Sequence, residues 1–285
     1  MVNGFRPANL AEALDILDKR TVRIIAGGTD LMVQNARGTG VSPKFSNPLL
    51  FISHLPVLKK IEVSNKYIKI GSCVTLSELL DSNVIPKTFK LAISQMASLP
   101  TRNIATLGGN IGNASPAADT LPFLYATKAR IVTESNYDSN EIPIEDFISA
   151  PGKINLHKSE LIKSISIPLC DYDLSFYKKV GTRKGMALSK LSFQGLANIK
   201  RNKLTDIRLA FGAVGPTVVR SEQLENNLKN LYLNDIIDFI PKIKQNYSKI
   251  ITPINDSRSN KNYRLKTALE LLDNFLKKIV MNNFN

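Results

Sequence analysis

Two glycine-rich segments hold the residues of this chain best suited to binding chemistry. The longer segment, TLGGNIGNASPAAD, runs from Thr106 to Asp119 and contains three glycines, two asparagines, a serine and a proline. Because glycine is costly inside helices and strands, and because Asn, Ser and Pro favour turns, this composition predicts a loop. A bare backbone can approach a ligand closely, so the segment predicts a binding loop and not an acid–base or nucleophilic centre.

The shorter segment is AGGTDL, from Ala26 to Leu31, which follows directly on the apolar strand-like run TVRIIA. Glycines after a strand let backbone N–H groups approach a pyrophosphate, and Thr29 can add a hydroxyl donor. The segment matches neither GxGxxG nor GxxxxGK[ST], so by itself it is also compatible with a plain turn. We expect the two segments together to hold one phosphate-bearing ligand.

The composition offers few residues from which another kind of catalytic centre could be built. The chain of 285 residues has two cysteines, Cys73 and Cys170, and two histidines, His54 and His157. These numbers exclude a disulfide scaffold, a four-cysteine zinc site and a self-contained iron–sulfur cluster. They also leave almost nothing for a Ser-His-Asp triad or a histidine-rich metal site. We therefore expect no catalytic side chain and no metal site.

The net charge of +14 is compatible with an anionic partner, or simply with lysines spread over solvated surfaces. No block of five basic residues occurs and the chain has no tryptophan, so nucleic-acid binding is not expected. No apolar run approaches the roughly 20 residues of a membrane helix, and the N-terminus does not resemble a secretory signal. The sequence predicts a cytoplasmic protein without a membrane span.

Helices and strands predicted around the two glycine-rich segments must hold them in position. Leucines at helical spacing after Asn9 predict a helix up to Lys19, and Thr75 with Glu78 has the spacing of a capping box. Further helices are expected over residues 87–98 and 120–129. A hairpin is expected from residues 61–63 and 67–70, and strands from residues 130–133 and 160–168.

The C-terminal part is predicted to be an antiparallel meander followed by helices. Strands are expected over residues 174–180, 188–200 and 204–214, the last two joined by the tight turn RNK. Helices are expected over residues 221–231, 234–247 and 259–280, the last with an apolar stripe typical of core packing. Pro168 and Cys170 mark a domain boundary.

Taken together, these segments resemble the FAD-binding medium subunit of molybdenum hydroxylases, the xanthine dehydrogenase and carbon monoxide dehydrogenase flavoprotein family. AGGTDL, IGSCVTLSEL and TRNIATLGGNIGNASPAAD carry the resemblance in the first half of the chain. YKKVGTRKGMALSKLS, RLAFGAVGPTVVR and SRSNKNYR continue it in the same order. The resemblance therefore covers nearly the whole chain.

The family implies an α+β fold. A two-lobed FAD-binding domain (PCMH-like), with lobes at residues 1–55 and 56–170, would clasp the cofactor. A small C-terminal domain at residues 171–285 would contain a three-stranded antiparallel sheet and helices. This agrees with the strands and helices predicted from the residues alone.

The resemblance also implies which residues bind the FAD, without covalent attachment. The residues that would wrap the pyrophosphate are Ile24, Ile25, Ala26, Gly27, Gly28, Thr29, Asp30 and Leu31. Those that would contact the pyrophosphate and ribityl region are Thr106, Leu107, Gly108, Gly109 and Asn110, with Ser115 nearby.

The resemblance implies a cofactor contact for four further residues, and three of them have a structural role as the alternative. Asp119 would accept a hydrogen bond from a ribityl or ribose hydroxyl, would cap the helix after Thr120, or would do both. Met96 would lie at the adenine end or pack in a helix. Ile162 and Lys178 align with positions on the flavin side. Lys178 would stabilise reduced, anionic flavin, or would be a plain surface lysine.

The implied function is electron transfer within a molybdenum hydroxylase complex that resembles xanthine dehydrogenase. A molybdopterin-binding large subunit would hydroxylate a substrate such as a purine, and a 2Fe–2S small subunit would relay the electrons. FAD on this chain would pass them to NAD or another acceptor. The molybdopterin and the iron–sulfur clusters would lie on the partner subunits only. The alternative is a stand-alone flavin NADH:acceptor reductase, a diaphorase.

Overall fold

The computed structural model describes residues 4–169, 171–183 and 185–281, so Cys170 at the expected boundary lies outside the described residues. Its strands are β1 (Gly4–Phe5), β2 (Arg23–Ile25), β3 (Leu49–Phe51), β4 (Ile61–Val63), β5 (Tyr67–Gly71), β6 (Arg130–Glu134), β7 (Ser139–Pro143), β8 (Ile148–Ala150), β9 (Lys153–Ile154), β10 (Leu161–Pro168), β11 (Leu174–Val180), β12 (Leu191–Lys200) and β13 (Lys203–Gly212).

The α-helices are α1 (Leu10–Lys19), α2 (Leu31–Gln34), α3 (Leu76–Asp81), α4 (Lys87–Ser94), α5 (Leu99–Arg102), α6 (Leu107–Asn113), α7 (Leu121–Ala126), α8 (Ile144–Phe147), α9 (Glu222–Asn226), α10 (Ile236–Ile250) and α11 (Lys261–Met281). Short 3₁₀ helices occur at Pro56–Lys59 and Leu233–Asp235. None of the helices in the described ranges has both the length and the apolar character that crossing a bilayer requires.

The chain divides into two compact units. The first comprises Met1–Ile85, Ala97–Ala114 and Lys128–Leu169, and the second comprises Pro86–Met96, Ser115–Thr127 and Cys170–Asn285. The segment 106–119 is therefore shared between the units, with α6 in the first and residues 115–119 in the second. The division at residues 55 and 170 stays a prediction.

The first unit contains two main sheets. One is a parallel sheet of order β1-β3-β2, and the other is an antiparallel sheet of order β4-β5-β10-β6-β7. The Asn9 side chain accepts a hydrogen bond from the Glu12 amide, which confirms the predicted start of α1. Helix α1 buries Leu14 and Leu17 against the residues that follow β3. This packing holds β2, and hence the segment after it, in place.

The predicted hairpin and capping box are also confirmed. β4 and β5 pair antiparallel, and the Thr75 side chain accepts from the Glu78 amide while the Glu78 carboxylate accepts from the Thr75 amide. β6 and β10 lie where the alternation predicts them and pair with each other. Apolar periodicity and capping chemistry therefore predict these elements of the first unit.

The prediction that the segment 106–119 is a loop was wrong for its first half. Leu107–Asn113, with three glycines, forms helix α6. The Thr106 side chain caps it by accepting from the Gly109 amide at 3.0 Å. The first two amides of the helix donate to the carbonyls of Val74 and Ser72 at 3.0 and 2.9 Å. These long-range bonds compensate for the low helix propensity of glycine.

The second unit confirms the predicted antiparallel meander β11-β12-β13 and with it the expected α+β fold. In the RNK turn, Arg201 and Asn202 adopt left-handed φ angles of 51° and 61°, as a two-residue hairpin turn with the sheet's twist requires. Helices α10 and α11 pack on the sheet, and Ala268, Leu272, Phe275 and Ile279 of the predicted stripe are buried. α4 ends four residues earlier than expected, shortly before Ala97, whose φ is +44°.

Candidate functional site

The first unit contains a cavity of about 440 Å³, within the size range of small-molecule sites. Both glycine-rich segments line it, as the sequence predicted. The site residues predicted from the sequence that line it are Ile24, Ile25, Ala26, Gly27, Gly28, Thr29, Asp30, Leu31, Thr106, Gly108, Gly109, Asn110 and Ile162. Leu107 is fully buried and is not among the lining residues. Besides the two glycine-rich segments, residues within the range 152–162 line the cavity.

The turn after β2 presents open backbone donors to this cavity. Within the described chain, the amide groups of Gly27, Gly28, Thr29 and Asp30 have no protein acceptor. Gly28 has a φ of +69°, a left-handed conformation that glycine adopts without strain. A run of unpaired amides of this kind is the backbone arrangement that binds an anion. The turn is therefore the strongest anion-binding feature of the cavity.

Helix α6 contributes space to the cavity and not hydrogen-bond donors, because its first amides already donate to acceptors within the protein. A Cβ added at Gly109 would meet only the Thr106 hydroxyl oxygen, at 2.9 Å. A Cβ added at Gly112 would meet only the Ile162 Cδ1, at an ordinary 3.7 Å. Both glycines line the cavity, so side chains at these positions would extend into it.

Two other glycines are required by packing between segments. A Cβ at Gly27 would lie 2.1 Å from the Ile104 carbonyl oxygen, and one at Gly108 would lie 2.7 Å from the Ser72 carbonyl oxygen. Real side-chain contacts are never this short, and backbone atoms cannot move away cheaply. Gly27 and Gly108 therefore let segments of the first unit come together, and they shape the cavity indirectly.

Polar side chains connect the two segments and extend the site. The Gln34 amide donates to the Asp30 carboxylate and, at 3.2 Å, to the Asn113 side-chain oxygen. On the other side, His157 and Lys158 line the cavity just before β10. We did not predict His157, Lys158 or Gln34 from the sequence. The position of two basic side chains immediately before a predicted strand was the available signal for the first two.

The remaining predicted residues, Met96, Ser115, Asp119 and Lys178, belong to the second unit. Met96 lies just after α4, and its amide donates to the Ile93 carbonyl at 3.0 Å. The Ser115 hydroxyl accepts from the Ala117 amide at 3.3 Å. Lys178 is exposed and lines a groove beside Phe176 and α11.

Asp119 does not cap the following helix, so that interpretation was wrong. Helix α7 has Thr120 at its N-cap and no side-chain capping bond. The Asp119 carboxylate instead accepts from Lys179, Tyr177 and Ser189. Three donors from β11 and from the residues before β12 outcompete the local helix terminus, since one of them carries a full charge. The prediction from the sequence missed all three, because they are remote in the chain.

Among the described residues, no group of three or more His, Cys, Asp or Glu side chains could hold a metal ion. Cys73 is buried and unpaired, and burial raises the pKa of its thiol from 9.0 to about 11. The thiol is therefore neutral and poorly suited to nucleophilic or ligand chemistry.

Two family models match this chain. Residues 1–170 match the FAD binding domain in molybdopterin dehydrogenase, and residues 175–279 match the CO dehydrogenase flavoprotein C-terminal domain. Together they cover both halves of the resemblance seen in the sequence.

Curated relatives agree with the family models. The glyceraldehyde dehydrogenase medium chain of Sulfolobus acidocaldarius is 30% identical over 264 residues, covering 91% of each chain. The xanthine dehydrogenase FAD-binding subunit of Escherichia coli O157:H7 is 26% identical, over 96% of this chain and 93% of that one. The fold is similar to that in the quinoline 2-oxidoreductase structure from Pseudomonas putida 86, with a TM-score of 0.87, 19% identity and coverage of 100% and 99%. The chain therefore belongs to the FAD-binding medium subunits of molybdenum hydroxylases, the xanthine and carbon monoxide dehydrogenase flavoprotein family, and is an oxidoreductase subunit.

Proposed function

We propose that the cavity of the first unit binds FAD without a covalent bond and that the chain passes electrons through this cofactor. The observation that carries the proposal is the run of unpaired amides from Gly27 to Asp30, which lines the same cavity as the open faces of Gly109 and Gly112. The amides suit a pyrophosphate, and the bare glycine faces leave room for the groups attached to it. The residues present therefore fit the cofactor that the family implies.

Each wall of the cavity has a distinct role in this proposal. Residues 24–31 hold the pyrophosphate through backbone N–H groups, and α6 with Ile162 provides the surface on which the rest of the cofactor lies. Lys158 adds a positive charge near the phosphates, and the His157 ring is a further polar group of the lining. The flavin supplies the redox chemistry when bound, and the protein supplies position and electrostatics. Met96, Ser115 and Lys178 stay predictions.

The electron donors and acceptors lie outside the chain in this proposal. A 2Fe–2S small subunit delivers electrons that originate at a molybdopterin-binding large subunit, and NAD or another acceptor receives them. Support comes from the names of the relatives, which are a medium chain and an FAD-binding subunit of two dehydrogenases. The complex is proposed to work in the cytoplasm.

Purified full-length chain tests the FAD assignment. We expect a yellow protein from which acid releases about one FAD per chain. Gly112→Val should lower FAD affinity at least tenfold, because its side chain extends into the cavity while making an ordinary contact with Ile162. Gly112 is a cleaner choice than Gly109, where a Cβ would press on the hydroxyl that caps α6.

Gly185→Val is the matched control, because a Cβ at Gly185 meets no atom within 4 Å and Gly185 is not a cavity-lining residue. This variant should bind FAD as the wild type does. A colourless wild-type chain that does not take up added FAD would overturn the proposal. Equal FAD affinity in Gly112→Val and Gly185→Val would move the site away from this cavity.

Affinity purification from the native cell tests the partners. We expect one chain with molybdopterin and one with two 2Fe–2S clusters to copurify in fixed stoichiometry. The stand-alone diaphorase alternative predicts instead that the lone chain oxidises NADH with an artificial acceptor at full turnover. Full turnover by the lone chain would support that alternative and remove the need for partners.

A further inference from the structure

One side chain in the cavity of the first unit connects the two glycine-rich segments. The Gln34 amide nitrogen donates to the Asp30 carboxylate and, at 3.2 Å, to the Asn113 side-chain oxygen. Asp30 lies in the turn after β2, and Asn113 is the last residue of α6. All three residues line the cavity. A primary amide nitrogen carries two N–H groups, so this single group spans both segments.

The third group of lining residues is attached at the same end of α6. The Gly152 amide donates to the carbonyl of Ala114, the C-cap residue of the helix, at 3.0 Å. Ala114 has a φ of +47°, the left-handed conformation in which many helices end. The segments that line the cavity therefore converge on residues 113–114. The attachment from Gly152 is made by the backbone, whereas the attachment from Gln34 is made by side chains.

The charge of Asp30 explains why a hydrogen-bond donor suits position 34. Asp30 lines the same cavity as the turn amides that are proposed to bind a pyrophosphate, and its side chain makes no capping bond to α2. A carboxylate without a donor would repel the phosphates of a ligand. The N–H group of Gln34 fixes the carboxylate and offsets part of its charge. Because the Asn113 oxygen is also an acceptor, both partners of Gln34 require a donor.

The bridge contributes more to the cavity than to the stability of the fold. Gln34 and Asp30 are exposed, and Asn113 is half-buried. Water competes for hydrogen bonds between exposed groups, so their loss changes the free energy of unfolding little. A bound ligand would exclude water from the cavity and strengthen the same bonds. The bridge should therefore matter most when the cavity is occupied.

We propose that Gln34 is a positioning residue of the cofactor site: its amide nitrogen ties the turn 26–31 to the end of α6, so that both face the ligand in one fixed arrangement. The inference rests on the proposed function, because it names a residue that orders the walls of the same cavity. Gln34 performs this role through Asp30 and Asn113, without a contact of its own to the cofactor.

Three substitutions at position 34 test the need for a donor, with FAD affinity of the full-length chain measured by flavin fluorescence after bound FAD is removed. Gln34→Met keeps the side-chain length without hydrogen bonds and should lower the affinity about fivefold. Gln34→Glu can only accept and adds a charge beside Asp30, so it should lower the affinity about tenfold or more. Gln34→Lys keeps a donor and should recover about half or more of the loss in Gln34→Met.

Val33 provides the matched control for charge. Its side chain is 71% exposed and is not part of the cavity lining. Val33→Lys and Val33→Glu change the charge by the same amounts one residue away. Each should change FAD affinity by less than about twofold at physiological salt, because exposed charges are screened.

A double-mutant cycle tests whether Gln34 acts through Asn113. Asn113→Ala should lower FAD affinity about threefold, and it should cause almost no further loss in the Gln34→Met background. Trypsin cleavage after Arg37 supplies a readout that needs no FAD. In the FAD-free chain it should be about threefold faster in Gln34→Met than in the wild type, since α2 loses its attachment to α6. It should be unchanged in Val33→Glu, and the Tm of Gln34→Met should stay within about 2 °C of the wild type.

Four outcomes would overturn the inference. Affinity in Gln34→Lys no better than in Gln34→Met would show that a donor is not required. Equal losses in Gln34→Glu and Val33→Glu would reduce the effect to charge alone. Additive losses in the double-mutant cycle would make Gln34 and Asn113 independent contacts. Unchanged cleavage after Arg37 in Gln34→Met would show that the bridge holds nothing. A wild-type chain that binds no FAD would instead overturn the proposed function, and this role with it.

Discussion

At the scale of single residues, the glycines of the two segments have different structural roles. Gly27 and Gly108 are glycine because a side chain would overlap the backbone at Ile104 and Ser72. Gly109 and Gly112 are glycine where a side chain would meet little except the cavity. Of these four glycines, Gly112 reports on a ligand most directly, since substitution of Gly27 or Gly108 disturbs the backbone packing and substitution of Gly109 presses on the hydroxyl that caps α6.

Cys73 gives a prediction at the same scale. Burial raises the pKa of its thiol to about 11, so in a Cys170→Ser background the native chain should resist alkylation at pH 8, whereas the urea-unfolded chain should react. The unfolded thiol, near 9.0, loses its proton first as pH rises. The contribution of the buried, protonated Cys73 thiol to the free energy of unfolding is therefore fully present below pH 9. This contribution is lost as the pH rises from 9 to 11.

Mass spectrometry of the alkylated protein and urea unfolding between pH 7 and 11 measure these two effects. Cys73→Ala in the same background is the control and should lose less stability over that pH window. Rapid alkylation of the folded protein would contradict the buried, neutral thiol.

At the scale of elements, α6 shows how a poor helix sequence becomes a helix. Seven residues with three glycines would not be helical in isolation. The cap from Thr106 and the bonds from Leu107 and Gly108 to the carbonyls of Val74 and Ser72 supply what propensity does not. The helix is thus specified by its neighbours, and its open glycine faces become part of the cavity.

The cap gives a prediction for this element. Thr106→Ala should lower the free energy of unfolding by about 1 kcal/mol, because the Gly109 amide loses its acceptor. FAD affinity should fall as well, since α6 forms one wall of the cavity. Urea unfolding and flavin fluorescence measure the two effects.

Thr106→Ser is the matched control, because it keeps the hydroxyl group and should behave as the wild type within about 0.5 kcal/mol. Equal stability of the alanine and serine variants would show that the hydroxyl does not hold α6.

At the scale of the whole molecule, each of the two compact units has its own core. The first combines the parallel and antiparallel sheets around the cavity, and the second packs α10 and α11 on the three-stranded sheet. Two family models match the chain over residues 1–170 and 175–279.

A binding prediction follows for the intact chain. FAD at 100 times its Kd should raise Tm by about 6 °C, because a ligand that binds only the folded state stabilises it by about 2.7 kcal/mol. Riboflavin, which lacks the phosphates, should raise Tm by less than about 1 °C at the same concentration. ADP should give an intermediate shift, since it contains the pyrophosphate. Differential scanning fluorimetry measures all three, and equal shifts with FAD and riboflavin would contradict the role of the amides at residues 27–30.

The sequence by itself determined the family, the α+β class and the approximate positions of the C-terminal sheet and helices, because these depend on local patterns. The Asn9 and Thr75 caps, the RNK turn and the apolar stripe of α11 could all be predicted from neighbours in the chain. The meeting of the two glycine-rich segments was also predicted from their chemistry.

Only the tertiary structure decided what depends on partners remote in sequence. It made Leu107–Asn113 a helix, through carbonyls more than thirty residues away, and it divided the glycines into packing and cavity-facing pairs. It bound Asp119 to Lys179, Tyr177 and Ser189, whereas the local pattern was compatible with a helix cap. Local propensities are worth about 1 kcal/mol, so buried charges and long-range backbone bonds decide such positions.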